Sequence, residues 1–123
     1  KALGDSFTIT IALDDKAIAL YPDDGFDTMV SELYAMNRRK PSVQKQLDHV
    51  AKYSYPGVQA DNQGRILLPV KLRQYVLGDA RDVEISGALD HVRIVDSAAA
   101  QREDEYYREH RDEILNEIGN LDE

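Results

Sequence analysis

There is no cysteine in this chain, so no disulfide can staple it and no thiolate can hold a metal. The redox compartment stays open on that ground, and a cytosolic protein fits without strain. No apolar run is long enough to cross a bilayer, and no signal peptide is visible at the start, which is Lys1 rather than Met. Chemistry-bearing patterns are scarce too. His49, His91 and His110 stand on separate predicted elements without the spacing of metal ligands. No glycine-rich loop is built to cradle phosphate, and none of the serines has the context of a nucleophile elbow. The sequence therefore supports no reaction, no cofactor, no metal and no small-molecule substrate. Positive charge is also in short supply: 15 Lys and Arg face 23 Asp and Glu, a net charge of −8. Taken whole, that balance argues against a nucleic-acid partner, because phosphate attracts a positive surface.

The distribution of charge points the other way. Residues 1–37 carry two basic and seven acidic groups, residues 74–101 two and five, and residues 102–123 three and nine. Residues 38–73 carry eight basic groups and only two acidic ones. A basic block inside an acidic chain is either a solvated face or a surface for an anionic partner. Length and composition, 123 residues with 42% hydrophobic and 31% charged, describe one globular unit or two small repeats sharing a core.

Along the chain, Phe7 to Ile11 alternates apolar with polar and is β-branched, which predicts a strand with one buried face. A turn at Leu13 to Lys16 leads to a second strand at Ala17 to Tyr21, closed by Pro22. Asp23, Asp24 and Gly25 offer caps for a helix whose Phe26, Met29, Val30, Leu33 and Tyr34 recur at helical spacing. Arg38, Arg39, Lys40 and Pro41 break that helix, and the three cations either touch phosphate or face the negative end of the helix dipole. Ser42 can cap a further helix with Val43, Leu47 and Val50 on its apolar stripe, which Tyr53 to Gly57 stops. Val58 to Ala60 then reads as a short strand.

The stretch from Asp61 to Arg73 packs a turn, a strand and a helix start together. Asp61 at the first position and Gly64 at the fourth suit a type I turn. Arg65 opens the apolar run Ile66 to Leu68, and Pro69 ends it and predicts a helix from about Val70 to Val76, since proline is at home in a first helical turn. Taken alone, this is a hairpin with an Asp61–Arg65 ion pair across it. Beyond it, Gly78 ends the helix, Val83 to Ser86 and Val92 to Val95 form a second hairpin about Leu89 to His91, and Asp96 or Ser97 caps a helix running towards Ile118. Tyr106, Tyr107, His110, Ile114, Leu115 and Ile118 give that helix a thin apolar stripe on a charged cylinder, able to dock or to project.

An internal repeat accompanies this pattern. Leu3-Gly4-Asp5 matches Leu77-Gly78-Asp79, and Ala12-Leu13-Asp14 matches Ala88-Leu89-Asp90 with a two-residue shift. Each is followed by a strand and a helix, so two copies of one supersecondary unit share a core. The second copy has the Asp61 turn before its Leu-Gly-Asp, which leads to the expectation that the native protein extends upstream of Lys1 by roughly one turn-strand-helix unit.

The pattern Asp61-x-x-Gly64-Arg65-x-x-x-Pro69, followed by a short helix carrying Leu72-Arg73, resembles the DNA-binding motif of the MraZ proteins, relatives of the AbrB-like transcription factors. The likeness runs from the Leu3-Gly4-Asp5 region to the C-terminal helix and is sharpest over Asp61 to Arg73 and Asp82 to Ile94. It implies an α+β fold, mainly β with flanking helices: a double-split, swapped-hairpin β-barrel built from two AbrB-like repeats. The corresponding division is 1–37 for the later part of the first repeat, 38–57 for a basic linker and helix, 58–96 for the second repeat and 97–123 for an acidic helix. The resemblance implies a bacterial transcriptional regulator of the division and cell-wall gene cluster, cytoplasmic and nucleoid-associated, binding double-stranded promoter repeats as a ring-like homo-oligomer. By the motif, Asp61 and Gly64 shape the turn, Arg65 contacts DNA, and Lys71 and Arg73 accompany it on the helix. Val95-Asp96 stands where the family carries an aromatic. A different class of reading is an antitoxin or protein-binding module whose acidic C-terminal helix neutralises a basic partner.

Overall fold

A computed structural model describes residues 6–37 and 40–120. Arg38, Arg39 and the Leu3-Gly4-Asp5 copy of the repeat lie outside the described residues. Strands β1 (Phe7–Ile11) and β2 (Ile18–Pro22) form the first hairpin and lead directly into helix α1 (Asp23–Asn37). Helix α2 (Pro41–Lys52) and strand β3 (Tyr55–Val58) follow, then helix α3 (Val70–Leu77). The second hairpin, β4 (Val83–Ala88) and β5 (His91–Asp96), leads into α4 (Ser97–Glu109), and α5 (Arg111–Asn120) comes last.

The strands make one antiparallel sheet in the order β3-β1-β2-β5-β4. The architecture is α+β as expected, but the sheet is open among the described residues: β3 and β4 are its edges. The central pairing is symmetric. Ile18 faces Ile94, Ala19 faces Arg93 and Leu20 faces Val92. The sequence offset that takes Leu3 to Leu77 also takes Ile18 to Val92, Ala19 to Arg93 and Leu20 to Ile94, so exchanging the two copies returns the same pairs. The two-residue shift at the turns also has a cause. The first hairpin turns through a wide loop after Ala12, whereas the second turns tightly at Leu89 and Asp90.

The core gathers Ile9, Ile11, Ile18, Leu20 and Ile94 with Val50 and Tyr53 of α2 and Leu72 and Leu77 of α3. Alternate strand positions, Ala19, Tyr21 and Val95, meet Ala100 of α4 in a second cluster, with Met29 of α1 packed against it. Small alanines there let the helices approach closely. Strand β1 departs from its expected half-exposed pattern, because it is interior to the sheet and buried on both faces. Thr8 and Thr10 are tolerated inside since their hydroxyls are bonded: Thr8 donates to Asp23 at 2.7 Å, and Thr10 meets the Ser54 hydroxyl at 2.9 Å. Asp23 also accepts from Ser6, the main reason its carboxyl lies below the usual range; it ties β1 to α1 rather than capping from outside the helix.

Other boundaries shift for local reasons. Lys40, not Ser42, is the N-cap of α2, because Pro41 occupies the first helical turn. Tyr53 to Gly57 does not merely stop α2; its second half is β3, and an edge position tolerates Pro56. Ile66 to Leu68 is not a strand. Ile66 and Leu68 pack against the core and Leu67 faces out, yet no described strand lies alongside to share backbone bonds.

Candidate nucleic-acid interface

The Asp61 turn is locked mainly by its own aspartate. The Gly64 N–H donates to the Asp61 carbonyl at 2.9 Å, and the Asp61 N–H donates to the Arg65 carbonyl at 2.8 Å. Gly64 has φ +79°, so the turn ends in a left-handed residue of the kind that makes a bulge in three-residue hairpins. A side chain there would strain the backbone by about 1–2 kcal/mol. Asp61 Oδ1 accepts the N–H groups of Gln63, at 2.9 Å, and Arg65, at 2.8 Å, while Oδ2 accepts Arg65 Nε at 2.9 Å.

These bonds, the Arg65 N–H foremost, hold the Asp61 carboxyl below the usual carboxylate range. The folded carboxyl thus ionises more readily than an unfolded one, whose pKa is about 3.9. The resulting stabilisation is fully present above that value and is lost as pH falls through the lower folded pKa. In an NMR titration the Arg65 and Gln63 amides should move with Asp61 protonation below about pH 4. Amides that ignore that step would mean the carboxylate does not hold the turn.

Arg65 is committed at only one nitrogen. Its Nε meets Asp61, its side chain is 71% exposed, and among the bonds of the described residues its terminal nitrogens have no acceptor. A guanidinium held by Nε still has its outer edge for a two-point acceptor.

Helix α3 follows this turn. Leu72 and Leu77 enter the core, so Lys71 and Arg73 remain exposed. Two residues along a helix are about 200° apart, which puts Lys71 and Arg73 on opposite flanks of Leu72 rather than on one face. Lys71 Nζ lies 5.3 Å from the centroid of the Tyr53 ring, a cation–π distance, and Tyr53 stacks on Tyr75 at 4.8 Å. The expected helix-borne cations are therefore both present, with different surroundings.

A clasp that sequence reasoning missed fixes α3 against the first hairpin. Asp15, at φ +65° in the β1–β2 turn, receives the Tyr75 hydroxyl at 2.8 Å and faces His49 Nε2 at 2.8 Å. The bond to Asp15 is the leading cause that raises the Tyr75 hydroxyl pKa. Asp14 beside it accepts Arg93 Nη2 at 3.1 Å, and the Leu13 carbonyl accepts from Gln46 at 3.1 Å. One exposed turn thereby joins α2, α3 and β5. The Asp14-Asp15 pair signals a turn, but its partners are distant in sequence and carry no local mark.

Among the described residues no group of three or more His, Asp or Glu could hold a metal ion, and no helix is long and apolar enough to cross a membrane. What the chain offers is a sheet-centred α+β module presenting an arginine on a locked turn, followed by a short basic helix. No family model matches the chain. Curated relatives do. The transcriptional regulator MraZ of Desulfitobacterium hafniense (strain DSM 10664 / DCB-2) is 32% identical over 114 residues, covering 86% of this chain and 76% of that protein. Those of Acetivibrio thermocellus, 32% identical over 101 residues, and Lachnoclostridium phytofermentans, 30% over 93, cover 80% and 76% of this chain. The chain belongs to the MraZ family. It spans 66% of the Acetivibrio protein and 63% of the Lachnoclostridium protein, slightly under two thirds of each.

Proposed function

We propose that this chain is a sequence-specific DNA-binding transcriptional regulator, not an enzyme, that acts in the bacterial cytosol at the nucleoid. The observation that carries the reading is the Asp61–Arg65 turn, in which one acid fixes the arginine by Nε and leaves its outer nitrogens facing solvent. Those nitrogens match guanine O6 and N7, the commonest specific contact in the major groove. The relatives bear the name transcriptional regulator, which supports the same class. By family resemblance the target is the promoter of the division and cell-wall gene cluster.

Lys71 and Arg73 contribute through phosphate, where exposed cations suffice. One base contact is too weak for a regulator acting alone, so several copies in a homo-oligomer engage repeats in the promoter, and effective concentration multiplies the single contact. The acidic remainder of the chain then faces away from the duplex.

Fluorescence anisotropy against the promoter duplex and a scrambled duplex, over a salt series, tests this. The promoter should be preferred, and Lys71→Ala or Arg73→Ala should weaken both duplexes about equally while making the salt slope shallower by about one. Equal binding to both duplexes by the unaltered chain would remove sequence specificity from the proposal.

A further inference from the structure

Tyr53, at the C-cap of α2, has a ring that is held in place. It is 6% exposed, stacks on Tyr75 of α3 at 4.8 Å and meets His49 edge-on at 5.3 Å. Two ammonium groups from different helices converge on this ring. Lys52 Nζ, from the last residue of α2, lies 5.6 Å from its centroid, and Lys71 Nζ, from the first turn of α3, lies 5.3 Å from the same point. The two charges therefore stand no farther apart than those two distances together.

Like charges gathered in this way repel, and the fold does not answer them with an acid. None of the ion pairs among the described residues includes a lysine. Helix α3 carries no Asp or Glu. The single acid of α2, Asp48, lies one turn before Lys52 and accepts Gln44 Nε2 at 2.9 Å. Asp15, in the neighbouring turn, is taken by the Tyr75 hydroxyl and His49. Both lysines are exposed, so an anion from outside the chain can reach them.

We propose that Lys52 and Lys71 form one seat for a single phosphodiester of the bound duplex, with the Tyr53 ring as its fixed base. The seat rests on the DNA reading given above, which assigns Lys71 to the backbone; the shared ring brings Lys52 to the same place. Helix α2 thereby joins an interface otherwise carried by the Asp61 turn and α3. A lysine ammonium is a compact point charge on a flexible stem, suited to phosphate rather than to one base edge. Two of them on one phosphate displace the counterions of that phosphate once, not twice. The competing account leaves both lysines solvated, with Lys52 only facing the negative end of the α2 dipole.

Anisotropy of the full chain against promoter and scrambled duplexes, over a salt series, separates the two. Lys52→Ala should make the dependence of log affinity on log salt shallower by about one, as Lys71→Ala does, and equally for both duplexes. The double variant Lys52→Ala/Lys71→Ala should also change by about one, because either loss already empties the seat; lysines on separate phosphates would give about two. Lys52→Arg, which keeps the charge and the ring contact, should retain the parent slope. Thermal melts of the variants should lie close to the parent, whereas the dipole account predicts earlier melting of Lys52→Ala with the slope intact. Lys52→Gln, which keeps the stem and loses the charge, should repeat the alanine result and decides if the alanine chain melts early. A Lys52 variant with the parent slope, an additive double variant, or a loss confined to the promoter duplex would each overturn the seat and leave the DNA reading standing. An unaltered chain that binds neither duplex would overturn the DNA reading and the seat with it.

Discussion

A Leu72→Ala chain should lose about 2–5 kcal/mol of folding stability, and with it the binding of duplex DNA at temperatures where the parent is still native. Leu72 is 0% exposed, and with Leu77 it carries α3 into the cluster around Ile9, Ile18 and Leu20. Alanine there leaves a cavity that a close-packed core fills only in part. Beyond Leu72, the main ties on the helix are Leu77 and the Tyr75–Asp15 clasp. It is eight residues long, its N-cap Pro69 makes no side-chain cap bond, and an isolated helix of that length is not stable in water. Urea melts should show a lower midpoint at an unchanged slope. Val70→Ala is the control, because this half-turn neighbour is exposed and its loss should change stability by less than about 0.5 kcal/mol. A Leu72→Ala loss no larger than the control would mean that the Tyr75–Asp15 clasp, not burial, holds α3.

The parts of the fold that sequence made legible are those fixed by neighbours in the chain. The Asp61–Gly64 turn follows from an acid that bonds the backbone ahead and a glycine that accepts positive φ, and both are present. Gly78 ends α3 with φ +56°, and Asp96 accepts the Ala98 N–H at the start of α4. Alternation of β-branched residues placed both hairpins within a residue or two.

Where distant residues decide, local patterns mislead or fall silent. Thr8 and Thr10 look solvent-facing by alternation, but they are buried, and the start of α1 and the junction between α2 and β3 supply Asp23 and Ser54 as partners. Ile66 to Leu68 is an apolar run that reads as a strand, and among the described residues it lacks the adjacent strand that would make it one. His49 stands apart from any cluster in sequence, yet it meets Asp15 and lies edge-on to Tyr53 and Tyr75, at 5.3 and 5.8 Å between ring centroids. No local pattern encodes that meeting. It depends on α2 and α3 arriving at the same turn, which burial of Val50 and Leu72 brings about.

For the candidate site the balance is similar: Arg65 and its acid were legible as a pair, and what the pair leaves unused became legible only with its geometry. Arg65→Ala should therefore lower the preference for promoter over scrambled duplex by about 1–3 kcal/mol, a factor of roughly 5 to 150, while the chain melts close to the parent temperature. Asp61 keeps both of its backbone bonds, to Gln63 and to the Arg65 N–H, when the side chain at 65 is removed, so the turn survives the substitution. An exposed ion pair adds little to stability in any case. Arg65→Lys separates shape from charge, because a lysine ammonium keeps the positive point but cannot bond O6 and N7 together. It should recover much of the affinity for both duplexes and little of the preference. The competing account gives Arg65 only the task of pairing with Asp61, and it predicts a lowered melting temperature with the preference intact. An Arg65→Ala chain that melts normally and still favours its promoter would rule out the base-reading role and leave Arg65 as one more phosphate contact.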